Sequence, residues 1–210
     1  MTPGAPPTSY SLLLPPGWVR VPLREGTRRV LDVKVFRGIE RIPDGVPRDK
    51  GMAYRLYVRR WVERLVEDAR KAGGLDLYVP VGARPGGRVL AASFLVAEVG
   101  GEVGGEGEAR AEAVLGRLAG EAGEVRGVAE TVGVRREYVR EAPEGEAEAD
   151  TATRHVDYVV PVPGEGSRWL AVSFSTAGDG DPASAFTRAV TDLFDAMMTT
   201  FRWSEPARTP

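Results

Sequence analysis

Apolar positions along the chain follow two rhythms, an alternation typical of strands and a three-to-four spacing typical of helices, and they place most of the elements. Residues 10–14 and 18–23 read as short strands, split by Pro15-Pro16-Gly17, a turn that cannot continue a ladder. The segment 27–42 fits two patterns. Leu31, Val33 and Val35 alternate as in a strand, while Leu31, Val35, Ile39 and Ile42 form a helical stripe. The reading leans to helix, because no second strand-like run follows closely enough to pair. Over 49–72 the helical pattern is sustained. Tyr54, Val58, Trp61, Val62, Leu65, Ala69 and Ala72 share one face, the charged residues Arg59, Arg60, Glu63, Arg64, Glu67, Arg70 and Lys71 take the other, and Gly73-Gly74 ends the run. Further on, 109–119 reads as a short Ala-rich helix and 128–139 as a strand. The span 182–203 reads as a long helix, with Asp181 as its N-cap, Pro182 at its first position, and Phe186, Val190, Leu193, Phe194, Met197 and Phe201 on its apolar face.

Two segments repeat one pattern. LDLYVPVGARPGGRVLAASF at 75–94 and VDYVVPVPGEGSRWLAVSF at 156–174 align with a single gap in the turn. Asp76 then falls on Asp157, Pro80 on Pro161, Arg88 on Arg168, and Ser93-Phe94 on Ser173-Phe174. Each reads as a hairpin, the second over 152–176, and each is followed by a predicted helix, so a duplicated hairpin-helix unit is expected. The expected fold class is α+β, a mostly antiparallel sheet of about seven strands with helices on its faces. A flexible arm at 1–9, a single sandwich domain at 10–203 and a tail at 204–210 complete the expected organisation.

With 210 residues, 42% of them hydrophobic and 28% charged, the chain is long enough to bury one sizeable core. The net charge of −2 argues against a dedicated nucleic-acid binder, yet it conceals an asymmetry. Residues 1–72 carry 15 Lys or Arg against 8 Asp or Glu, and residues 73–150 carry 8 against 15. A basic first third can orient an acidic partner, or face the acidic loops of its own fold. Those loops are expected at 100–108 (GGEVGGEGE) and 141–150 (EAPEGEAEAD), both with little to bury. Only three of the 28 basic residues are lysines, and Gly, Ala, Arg, Pro and Val abound, the profile of a high-GC genome. The N-terminal stretch lacks a basic n-region and no segment reaches transmembrane length, so a cytoplasmic location is expected.

Chemistry is sparsely signalled. There is no cysteine, which excludes disulfides and thiolate metal sites, and His155 is the only histidine. Asp179 and Asp181, in the sequence GDGD, are the most site-like carboxylates, but the EF-hand spacing is absent and helix capping accounts for Asp181. The glycines at 100–105 lie among Glu102, Glu106 and Glu108, which repel a phosphate. Ser93 and Ser173 lie inside strands with no base nearby in sequence, and no GxSxG, HExxH or GxGxxG occurs. No catalytic residue, cofactor or metal ligand is therefore assigned. The cluster Tyr54-Arg-Leu-Tyr-Val-Arg-Arg-Trp61 mixes aromatic and basic residues, and periodicity assigns Tyr54 and Trp61 to the core and the arginines to solvent.

The stretch Tyr10-Ser-Leu-Leu-Leu-Pro-Pro-Gly-Trp18, opening the sheet, and the closing helix through Leu193-Phe194 to Phe201-Arg-Trp203 resemble the PsbP-like α/β/α sandwich superfamily, including its actinobacterial lipoprotein-like relatives. The resemblance implies a sandwich fold and a non-catalytic adaptor, assembly or binding role. The expected function is thus an interaction or accessory protein with a protein partner, its contact face formed by a sheet edge or the basic first third. Candidate contact residues are Tyr57, Arg59, Arg60 and Trp61. The alternative is a small-molecule-binding protein or hydrolase with a pocket between the sheet and the helix at 49–72, where Tyr57, Arg60 and Trp61 would hold an anionic ligand.

Overall fold

A computed structural model describes residues 7–37, 48–81, 90–100, 120, 123–142, 151–164 and 168–204. The architecture is α+β, with seven antiparallel strands in the main sheet and helices packed on it. The chain divides into two compact units, Leu14–Ala97 and Met1–Leu13 with Glu98–Pro210.

The first unit begins at a turn dictated by its residues. Pro16 and Gly17 occupy its centre, Gly17 takes φ 87°, and Trp18 N donates to Pro15 O at 3.2 Å, the geometry of a type II turn. Strand β2 (Trp18–Pro22) follows and pairs with β3 (Gly74–Pro80), which pairs in turn with β4 (Ala92–Gly100). The preceding strand β1 (Ser9–Ser11) stands outside this sheet. Between β2 and β3 the chain forms a helical turn, α1 (Thr27–Val30), which widens into π-helical geometry over Leu31–Phe36, and then the long helix α2 (Arg48–Lys71). The helical alternative for the ambiguous segment is therefore observed from 27 to 37; its remainder, 38–42, lies outside the described residues. The wide turns bring Leu31, Val35 and Phe36 all into the core.

That core joins Val62, Val66 and Ala69 of α2 to Val21, Leu77 and Val79 of the strands and to Leu23 just after β2. The helix ends at Gly73, in the left-handed region at φ 74°, and Gly74 lets helix and strand close up: a Cβ there would stand 2.7 Å from Ala69 O. Arg70 fastens the same corner, donating to Leu23 O and to the buried Thr27 hydroxyl. On β3, the Asp76 carboxylate is 4% exposed and accepts two 2.7 Å hydrogen bonds from Arg20. A carboxylate so buried requires that partner.

In the second unit, β5 (Gly123–Val128), β6 (Thr131–Arg140), β7 (Thr153–Pro161) and β8 (Arg168–Thr176) follow one another antiparallel, in the order β8-β7-β6-β5. Periodicity does not predict β5, and the strand that it predicts at 128–139 is β6, which begins at Thr131 because the chain turns at Ala129-Glu130. Both residues have positive φ, 47° and 66°. Alternation cannot reveal such a turn, because it carries neither Gly nor Asn.

Helix α3 (Ala185–Thr199) packs on β7 and β8, with Phe194 stacked on Phe174 at 4.6 Å and edge-on to Tyr158 at 5.9 Å. It starts later than the sequence suggests. Ser184, not Asp181, is the N-cap, accepting from Thr187 N at 3.0 Å, while Asp181 accepts from Ala183 N and Asp179 accepts from the Ser184 hydroxyl. The carboxylates thus shape the turn that presents the cap. Phe186 is 37% exposed, whereas Phe201 is fully buried beyond the helix end. There β9 (Arg202–Ser204) pairs with β1, and Tyr10 stacks on Phe201 at 5.4 Å.

The two similar segments do form hairpins, β3-β4 and β7-β8. Their registers differ: Phe94 faces Tyr78 and Asp76 faces Val96, whereas Phe174 faces Val156 and Asp157 faces Ser173. The helix expected at 109–119 and the acidic loops expected at 100–108 and 141–150, apart from residues 100, 141 and 142, lie outside the described residues.

Candidate functional site

Helix α2 buries Val62, Val66 and Ala69 against the sheet, which fixes what its other side presents. Leu56, Tyr57 and Trp61 face solvent, 53%, 47% and 39% exposed, and Met52 is exposed one turn before Leu56. Trp61 is thereby corrected from its expected place in the core. The buried face centres on Val62, Val66 and Ala69, and at about 100° per residue Trp61 lies roughly a quarter-turn off it. Val66, absent from the apolar stripe read from sequence, is 4% exposed. The Tyr54 side chain lies outside the described residues. Met52 and Leu56, four residues apart, were a signal that the sequence already contained.

Of the four candidate contact residues, Tyr57, Arg60 and Trp61 stay on this outer surface, and Arg59 turns aside. Its guanidinium lies 4.3 Å from the Phe36 ring centre, 3.4 Å from Asp32 and 3.5 Å from Glu63. Arg59 is thus a wall of a groove of about 470 Å³ between α1 and α2, floored by Leu31, Phe36 and Val66. The groove is not a pocket between helix and sheet, since that interface is filled by the core. Nor do Tyr57, Arg60 and Trp61 line it. Its three arginines, Arg28, Arg59 and Arg70, are matched by Asp32, Glu63 and Glu67, so it carries no net field to select an anion.

A smaller cavity of about 300 Å³ opens beside α3, with Arg126, Tyr158 and Asp195 among its lining residues. Behind it lies a polar network on the inner face of the sheet. Arg135, 7% exposed, donates to Asp195 at 3.0–3.1 Å and to Glu137 at 2.6 Å; Tyr158 donates to Asp195 at 2.8 Å; Arg154 donates to Glu137 at 2.7 Å. Burial, reinforced by the bond to Asp195, pushes the Tyr158 hydroxyl well above the usual phenol range. Burial works against the Glu137 carboxylate, but its bonds from Arg135 and Arg154 prevail and hold it below the ordinary range. Asp195 Oδ1 already accepts two hydrogen bonds, from Arg135 Nε and the Tyr158 hydroxyl, and Oδ2 accepts one from Arg135 Nε, which suits fixing α3 to the sheet better than receiving a ligand.

His155 lies on the opposite face of this sheet, stacked on Tyr138 at 5.0 Å, with Nε2 2.8 Å from the Thr153 hydroxyl. Among the described residues no cluster of three metal-ligating side chains occurs. None of their helices is long and apolar enough to cross a membrane. No protein-family model matches the chain, and the curated proteins compared with it give no match.

Proposed function

We propose that this chain is a non-enzymatic interaction protein, an accessory of a larger assembly, and that the outer face of α2 receives an acidic segment of a protein partner. The observation behind the reading is the exposed set Leu56, Tyr57 and Trp61 on a helix with eight basic and four acidic residues. Aromatic and arginine side chains are the commonest anchors of protein interfaces, and a basic surround favours acidic partners. The likeness of segments 10–18 and 193–203 to the PsbP-like sandwich supports the same reading, since that superfamily acts mainly through binding and assembly.

Affinity capture from the source cells, at low and moderate salt, tests this with three baits: wild type, Arg60→Glu and Trp61→Ala. The expected result is one defined partner whose yield falls about tenfold with Arg60→Glu and with Trp61→Ala, and falls with salt. Equal recovery by all three baits, or no specific partner at either salt, refutes the assignment.

A further inference from the structure

Strand β5 ends the main sheet, and among the described residues it pairs only with β6. Its hydrogen-bonding direction follows from the register. Val128 faces Thr131 across the two-residue turn, so the backbone groups of Val128, Arg126 and Glu124 point to β6, and those of Gly123, Val125 and Gly127 point outward. An outward row of this kind is a template for another strand.

The side chains specify which strand. Glu124 and Arg126 share one face of β5 and bind each other at 2.7 Å. Val125, 65% exposed, projects from the other face between two glycines, near Val132, which is 51% exposed. We propose that β5 pairs antiparallel with β5 of a second copy of this chain, on a two-fold axis through Val125. In that register Val125 meets its own counterpart as a hydrogen-bonded pair, and Gly123 meets Gly127 of the second copy. Glu124 then lies opposite Arg126 of the second copy and Arg126 opposite its Glu124, a checkerboard of alternating charge. Hydrogen-bond direction restricts the pairing to registers that place outward residues opposite one another, and charge order selects this one, since a shift by two residues sets Glu124 against Glu124 or Arg126 against Arg126. The flanking glycines leave the paired valines room to meet. This surface is separate from α2, so its test is independent of the partner reading.

Sedimentation and light scattering across a range of concentrations decide the matter, with circular dichroism to verify folding. The wild type is expected to reach twice its 22.6 kDa chain mass. Arg126→Glu, which places like charges opposite each other, weakens the dimer by at least about tenfold, and adding Glu124→Arg to it restores wild-type association. Val125→Pro removes only an outward N–H, so it leaves the β6 ladder intact and abolishes association. A wild type that stays monomeric at about 1 mM, or a dimer that survives both Arg126→Glu and Val125→Pro, overturns the proposal.

Discussion

The turn joining β5 to β6 holds two residues in a conformation that neither prefers. Ala129 and Glu130 have φ of 47° and 66°, and the Thr131 hydroxyl donates to Val128 O at 2.8 Å beneath them. An ordinary L-residue in the left-handed region costs roughly 1–2 kcal/mol. Replacing the pair by Ala129→Asn and Glu130→Gly removes most of that strain, because these residues suit a type I′ turn. The glycine returns roughly 0.5–1 kcal/mol of freedom to the unfolded chain. The net gain is about 1.5 kcal/mol, and at 2–4 °C per kcal/mol for a chain of this size the midpoint should rise by roughly 3–6 °C. Thermal and urea denaturation at one fixed protein concentration would measure it. As a control, Glu130→Val adds β-branching at positive φ and should lower stability by about 1 kcal/mol. A double variant no more stable than the wild type would refute the claim that this turn is strained.

Two further outcomes are expected. Arg135→Met leaves Asp195 and Glu137 without their shared cation beneath α3 and should cost about 3 kcal/mol in urea unfolding, and a loss under about 1 kcal/mol would show that the network does not hold the helix. Burial, then Arg140, lowers the His155 pKa, so below its ordinary value near 6.5 the unfolded chain binds the proton more readily than the folded one. The His155 contribution is full above about pH 6.5 and is lost as pH falls through the lower folded value, so His155→Gln should flatten that part of the stability profile, and an unchanged slope would contradict the burial argument.

Much of the scaffold is legible without coordinates. Periodicity gives α2 within a residue at each end, because Gly73-Gly74 leaves a helix nowhere to continue. It also gives β2, both hairpins and the existence of α3. Misreadings fall where local preference is overridden by neighbours. Asp181 and Pro182 carry every signal of a helix start, yet Asp179 and Asp181 are consumed by the turn and Ser184 does the capping. Trp61 fits an apolar stripe until the sheet chooses Val62, Val66 and Ala69 instead. The candidate contact set was legible only as composition, since periodicity cannot tell that Arg59 folds back over Phe36 while Arg60 remains outside.

The sequence by itself determined the type of most elements, the absence of thiol chemistry and the basic character of the first third, because each depends on residue identity and spacing along the chain. Only the tertiary structure decided which side of α2 meets water, that Arg135 is buried between two carboxylates, and that β5 is the end of the sheet with Val125 directed outward. These depend on which distant segments pack together, as Arg135 does with Asp195 sixty residues away. Long-range packing repays the cost of burying a charge or exposing an aromatic ring, and spacing along the chain carries no record of it.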